Sequence, residues 1–312
     1  MRTTTSAPTG PAEGGFVVAN TDGAFLIDDG FLFQMVEGPV ELALDDGAGG
    51  LVFQRPPNAG PPDPRATIIY YLPADSLAPQ ELLVPTGEQY LKLRDVSEGA
   101  VWYTRNEGDT PDTSRETLRT FNLTTRTVDQ FAITGGWESG ALEVSAAGST
   151  VVAYWSSEAS FGFTFFAESG GLVGFEGNPY GADLFCGDGD MYDTNGNFVR
   201  AACFEYAELS DDGRLAFLER AFDGVQVRYV LIIVDLDSGE ELFRQDLQRP
   251  DQGWLPKTID LLGNQAIVNR SESGLYRAPF VEALLVDLDT GVVSELGVAG
   301  NARFLKGPIA ID

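Results

Sequence analysis

The sequence contains no histidine. That absence removes Ser-His-Asp and Cys-His nucleophile chemistry, and every imidazole metal site with it. What remains is carboxylate, Asn, Tyr, Lys and carbonyl oxygen, a donor set that suits hard cations such as calcium. Lysine is scarce as well: Lys92, Lys257 and Lys306 are the only three among 20 basic residues, against 47 acids. The formal charge of −27 repels phosphate backbones and anionic lipid headgroups, so nucleic acid and bare membrane are not expected as partners. No apolar run approaches the roughly 18 residues of a membrane span. The longest strong one is YVLIIV at 229–234, so no transmembrane segment is expected in this chain.

Cysteine is limited to Cys186 and Cys203, which enclose 16 residues, GDGDMYDTNGNFVRAA. The spacing is too wide for a zinc knuckle or a redox CxxC pair. A disulfide is expected; closing such a loop contributes on the order of 3 kcal/mol in the chain-entropy model and requires an oxidising compartment. Two independent buried thiols are the alternative. Residues 1–14, MRTTTSAPTGPAEG, have the composition of a solvated tether of the kind that follows an export signal or lipid anchor. The expected location is therefore extracellular, periplasmic or on the cell envelope, with a lipid anchor upstream of residue 1 left open.

Helical periodicity is also nearly missing, while short runs of Val, Ile, Leu, Phe and Tyr bounded by Gly, Asp, Asn and Pro recur throughout. That pattern predicts an all-β fold, and 43% hydrophobic residues suffice for a sizeable core. Two nearly identical hexapeptides, VDLDSG at 234–239 and VDLDTG at 286–291, each close an apolar run. Weaker copies occur as FLIDDG (25–30), YYLPADS (70–76), TFNLTTR (120–126) and FFAESG (165–170). The residues that superpose, Ile27, Leu72, Leu123, Ala167, Leu236 and Leu288, lie 45, 51, 44, 69 and 52 apart. This is the period of four-stranded propeller blades, which cannot cover their own faces and therefore stack radially.

Six copies predict a six-bladed β-propeller over 15–312. The blades fall at 39–85, 88–134, 138–177 with an insertion at 171–203, 204–248 and 256–297, and the N- and C-terminal strands at 15–38 and 302–312 share the remaining one. Closure of that kind leaves no open sheet edge. The regular order is clearest at 205–247, where EYAELS, LAFLER, VQVRYVLIIVDL and ELFRQDL form strands a to d around DDGR and DSGE turns.

The run LSDDGRLAFLERAFDG at 209–224, with IIVDLDSGEE after it, resembles the repeat of TolB-like, WD-type propellers. Ser210, Asp212, Gly213, Phe217, Asp235, Asp237 and Gly239 match that pattern, and Asp211 stands where the family usually has proline. The resemblance covers one blade well and the others weakly. It implies a propeller fold, and for such repeats it implies mostly interaction platforms of the bacterial envelope, with some relatives capping peptidases or carrying hydrolase sites.

Blade topology places the d-to-a and b-to-c loops on one face. Two candidate features fall there: Trp137 and Trp254, each seven residues ahead of a strand-a apolar residue, and Arg55, Arg105, Arg220 and Arg270 at the ends of strands b. Exposed, the tryptophans would stack on a sugar or anchor a peptide, whereas buried they would plug gaps between blades. The arginines would form an anion site, or pair with neighbouring acids as part of the repeat. In the insertion, Asp188, Asp190, Asp193, Asn195 and Asn197 offer oxygen ligands for calcium, but their spacing is not that of an EF-hand and a turn-rich acidic loop is the plainer reading. Aligned starts of strand a put Lys92, Glu143, Glu208 and Asp260 in the central channel, the position where six-bladed lactonases hold a cation.

The expectation is a non-catalytic, exported propeller that binds a protein, peptide or glycan on the face carrying the 171–203 insertion, with no cofactor. The alternative is a calcium-dependent hydrolase of the lactonase type acting at the channel.

Overall fold

The computed structural model of the chain describes residues 15–28, 31–55, 67–76, 78–84, 91–107, 115–130, 143–147, 150–156, 161–166, 183–187, 190–193, 198–200, 203–222, 227–236, 238, 240–247, 255–271 and 280–307; between 150 and 205 it is the backbone that is described. The regular elements described are 26 strands.

In chain order the first sheet contains β1 (Phe16–Ala19), β2 (Gly23–Asp28) and β3 (Phe31–Glu37). The second contains β4 (Leu42–Asp45), β5 (Leu51–Arg55), β6 (Ile68–Leu72) and β7 (Gln80–Leu83). The third contains β8 (Leu91–Ser97), β9 (Ala100–Glu107), β10 (Arg115–Asn122) and β11 (Val128–Gln130). The fourth runs β12 (Glu143–Ala147), β13 (Thr150–Ser156), β14 (Phe161–Phe166), β15 (Asp183–Gly187), β16 (Asp190–Asp193) and β17 (Phe198–Arg200). The fifth contains β18 (Cys203–Leu209), β19 (Arg214–Phe222), β20 (Val227–Asp235) and β21 (Glu241–Asp246), and the sixth β22 (Leu255–Leu262), β23 (Gln265–Ser271), β24 (Phe280–Asp287) and β25 (Val293–Glu295). The last strand, β26 (Asn301–Phe304), returns to the first sheet and pairs antiparallel with β1, Phe16 opposite Phe304 and Ala19 opposite Asn301.

All pairings are antiparallel between chain neighbours apart from that return, so this is an all-β propeller built of up-and-down sheets. Five sheets have the four strands of a regular blade, against the six blades expected. The exception is the sheet over 143–200, which has six strands. There the 171–203 insertion is not a loop beyond strand d, because it supplies strand d itself, β15, and then two more edge strands, β16 and β17. Gly187 pairs with Asp190, leaving only Asp188-Gly189 between the two strands, and β16 leads to β17 through TNGN. Asp188, Asn195 and Asn197, read as oxygen ligands, lie outside the described residues.

The sheets pack face to face through the alternate side chains that each strand turns to its neighbour. Leu218, Leu231 and Ile233 of the fifth sheet meet Ala266, Val268, Leu284 and Val286 of the sixth. Ile267, Ala283 and Leu285 on the other side of the sixth meet Phe16, Val18, Ile27, Ala302 and Phe304 of the first. Val17, Ala19 and Ala24 then meet Ala43, Leu51 and Phe53 of the second, whose Val52 and Ile69 pack on Leu93, Val101 and Tyr103 of the third. At the centre the inner strands lie side by side in the order β26, β4, β8, β12, β18 and β22.

The hexapeptide echo belongs to the turns after β20 and β24. Asp235 Oδ1 accepts from the N–H and the hydroxyl of Ser238 at 2.8 and 2.7 Å, and Asp287 Oδ1 accepts from those of Thr290, both at 2.8 Å. The N–H of Leu236 and of Leu288 donates to Gly213 O and Asn264 O, fixing each turn to the a-to-b turn beside it. These are scaffold contacts.

Candidate functional site

Inner strands run from the d-to-a loops to the a-to-b turns, and a charged residue sits near the exit of five of them. Asp45 ends β4, Asp95 lies late in β8, Glu208 late in β18, Asp260 late in β22, and Arg303 in β26. Lys306 follows two residues after the end of β26. Together with Leu44, Val96 and Phe304 they line one cavity of about 10 Å³, room for about one water molecule. The four acids are between 3% and 8% exposed, so their charges must be answered inside the protein.

They are answered largely by the next sheet round the ring. Asp95 accepts the N–H of its neighbour Val96 at 2.7 Å and that of Ala146, on β12, at 2.6 Å. On β12 the equivalent position is Ser145, whose hydroxyl accepts the N–H of Leu209 at 2.8 Å. Asp260 accepts from Leu261 at 3.1 Å and from Phe304 on β26. Asp45 accepts from Gly47 and from Gly307, each at 2.8 Å. Gln54 likewise accepts the N–H of Leu93 at 2.6 Å, and Asn269 holds both the N–H and the C=O of Ala302, at 2.8 and 2.9 Å. A polar side chain of one sheet thus grips the inner-strand backbone of the next.

The two cations come from one segment, 303–307, whose Lys306 side chain reaches over the channel mouth to the third sheet. Arg303 donates to Ile259 O at 2.7 Å and lies 3.6 Å from Glu208 and 4.0 Å from Asp260. Lys306 donates to Val96 O at 3.3 Å, in the third sheet. Burial alone would depress the Lys306 ammonium, but Asp95, Glu208, Asp211 and Asp260 reverse this and hold it above its ordinary value. Burial raises the Asp45 carboxyl, with the Gly47 and Gly307 N–H groups opposing. Burial raises Asp95 too, against Lys306. Glu208 goes highest above its ordinary range, through burial and then the charge of Asp95, with Arg303 opposing.

Of the channel residues expected from the sequence, Glu208 and Asp260 line this cavity. Lys92 does not: it lies three residues before Asp95 on β8, where a bulge between Leu93 and Asp95 shifts the register. Glu143 is the first residue of β12, opposite Tyr154, and the place of an acid in that strand is taken by Ser145. Asp45, Asp95, Arg303 and Lys306 were missed because the inner strands were aligned by their starts. Their common signal was the acid or base just before the turn, in LALDD, LRDVS, YAELS, TIDLL and ARFLK.

The four arginines do lie at the ends of strands b, but they do not present a uniform ring. Arg270 is wholly buried and paired with Glu282 on β24. Arg55 lies over the stacked rings of Phe53 and Tyr70, 5.3 and 5.2 Å from their centroids, and donates to Glu37 O at 2.9 Å. Arg105 on β9 is half-buried, and Arg220 on β19 is exposed, its backbone opposite Cys203. Trp137, Trp254, Asp188, Asn195 and Asn197 lie outside the described residues, as do the side chains of Asp190 and Asp193 on β16. Cys186 is on β15 and Cys203 begins β18, two strands that lie against one another; their sulfurs are outside the described residues too. Among the described residues no group of three or more His, Cys, Asp or Glu is arranged to hold a metal ion, and no described helix is long and apolar enough to cross a membrane.

This geometry defines a β-propeller whose centre is a charged clasp. No protein-family model and no curated protein matches the sequence. Among solved structures the fold is shared with TolB from Acinetobacter baumannii, with a TM-score of 0.59 at 13% identity over 95% of this chain and 67% of that one. It is shared as well with a chain of a nidogen/laminin complex, with a TM-score of 0.55 at 8% identity over 94% of this chain and 99% of that one. Both are β-propellers, so the TolB-like architecture implied by the repeat at 209–224 is shared at the level of the fold.

Proposed function

We propose that the chain is a non-catalytic propeller that binds a protein, peptide or glycan. We count the six-stranded sheet as a sixth blade, closed to the others through the pairing of β1 with β26. The observation that carries this reading is the commitment of the channel acids. Asp45, Asp95 and Asp260 each accept two backbone N–H bonds, and Arg303 and Lys306 occupy the space between the acids. Their oxygens serve the ring rather than a substrate. The lactonase-type alternative needs such oxygens free for a cation, and these are not.

With the a-to-b end of the channel crossed by residues 303–307, the opposite end, where the d-to-a and b-to-c loops emerge, is the face for a ligand. Trp137 and Trp254 belong to that end by sequence. The nidogen structure is of a complex with laminin, which supports the use of such a fold as a docking platform. We place the protein outside the cytoplasm, in the envelope or beyond it, on its acidity, its tether-like residues 1–14 and its widely spaced cysteines. A lipid anchor upstream and a Cys186–Cys203 disulfide belong to the same proposal.

The test is the double variant Trp137→Ala with Trp254→Ala, compared with the parent for melting temperature and for cross-linking to envelope proteins and glycans. Unchanged melting with reduced capture supports the reading. A large loss of stability, or turnover of lactone substrates by the parent chain, overturns it.

A further inference from the structure

Four carboxylates and two cations meet at the centre of the ring: Asp45 from β4, Asp95 from β8, Glu208 from β18 and Asp260 from β22, against Arg303 from β26 and Lys306 beyond it. Acids exceed bases by two. The cavity among them has room for about one water, which leaves no place for a hydrated counter-cation. In a buried site with so little room for water an excess of like charge is relieved by protonation.

The hydrogen bonds set one acid apart. Asp45 accepts the N–H groups of Gly47 and Gly307, Asp95 those of Val96 and Ala146, and Asp260 those of Leu261 and Phe304. Both oxygens of each of these three carboxylates are thus engaged by backbone donors. Glu208 accepts no backbone N–H among the described residues; it has Arg303 at 3.6 Å and is 8% exposed. β12, between Asp95 and Glu208 in the ring, contributes the neutral Ser145 here, and Asp211 adds a further negative charge toward Lys306.

We propose that Glu208 is a proton-binding site and that its proton holds residues 303–307 across the channel, so that this strap is a latch that tightens as pH falls and loosens as pH rises. The carboxyl's displacement above its ordinary range, caused by burial and by Asp95, agrees with this assignment. The sign follows from linkage. The closed latch keeps a proton that Glu208 gives up once the strap lifts and water enters, because burial is the largest cause of the raised carboxyl and its relief outweighs the loss of Arg303 and Lys306; opening therefore releases a proton. Between the ordinary value of Glu208 and its raised value in the closed state, the opening equilibrium grows by at most about tenfold per pH unit. Below that window the latch is fully closed with respect to this group.

The experiment follows hydrogen exchange of the Phe304 and Gly307 amides, expressed as protection factors, from mildly acidic to mildly alkaline pH, in the full chain and in Glu208→Gln. The parent is expected to lose protection at both amides by up to about tenfold per pH unit. The variant, which cannot ionise, is expected to keep its protection at every pH. Equal pH dependence in the two chains overturns the proposal. Should E208Q fail to fold, carboxyl ¹³C titration of the parent decides instead. A glutamate titrating well above the ordinary range supports the latch, and all glutamates titrating at or below that range overturns it.

Discussion

Gly307 donates its backbone N–H to Asp45 Oδ2 across 2.8 Å, joining residues 262 positions apart in the chain. The same carboxylate accepts from Gly47, so a single side chain fixes both its own turn and the strap from the far end of the sequence. Asp45→Ala is expected to lower stability by about 1–3 kcal/mol, since two buried donors lose their acceptor. Asp45→Asn keeps one acceptor oxygen and should lose less. Urea unfolding of the two variants against the parent reads the difference.

Asn269 is a second clasp, fully buried and bonded to Thr258 Oγ1 at 2.8 Å as well as to both backbone groups of Ala302. Asn269→Leu keeps the volume and removes every polar partner. The expected loss is about 3 kcal/mol, with the β26–β1 pairing becoming the first part of the chain to exchange with deuterated solvent. A variant as stable as the parent would show that the clasp between the sixth and first sheets lies elsewhere.

Arg270 distinguishes a ligand residue from a structural one. It is wholly buried against Glu282, which is 23% exposed. Arg270→Ala leaves that carboxylate without its partner and is expected to cost about 3–5 kcal/mol, while Arg270→Met combined with Glu282→Leu recovers most of the loss. Thermal melts of the single and double variants settle which holds.

The turn at Asp287 carries a pH signature of opposite sign to that of Glu208. Hydrogen bonds from the Thr290 hydroxyl and N–H hold its carboxyl below the usual aspartate range. Its contribution to stability is therefore complete above that usual range and is lost as pH falls through the lowered value. Thr290→Val removes the hydroxyl donor and should move the Asp287 titration, read by carboxyl ¹³C shifts, back toward the ordinary range. An unmoved titration would assign the shift to the backbone N–H alone.

Calcium is expected to leave the melting temperature where a chelator leaves it, because the channel oxygens are already engaged by backbone N–H groups, Arg303 and Lys306. A site that bound calcium at a hundred times its Kd would add about 2.7 kcal/mol. A rise on calcium addition would return the hydrolase reading to consideration.

Much of the fold was legible in the chain. The spacing of Ile27, Leu72, Leu123, Leu236 and Leu288 placed the ends of five strands c, because each blade repeats the same turn chemistry. Ala167 misled for a physical reason. Strand c does end there, but the next strand begins at Asp183, and local turn signals carry no information about how long a connection is before its strand pairs. The site was half legible. Glu208 and Asp260 were found, whereas Asp95 was missed in favour of Lys92, since a bulge shifts which residue faces inward without leaving a mark in the apolar pattern.

By its sequence alone the chain determined an all-β repeat architecture, the positions of its turns and the exclusion of histidine-based chemistry, because these follow from local propensity and from which side chains exist. Only the tertiary structure decided that Asp45, Asp95, Glu208 and Asp260 share one cavity with Arg303 and Lys306. Their meeting depends on packing between sheets hundreds of residues apart in sequence, and their burial there, rather than residue type, raises the Glu208 carboxyl.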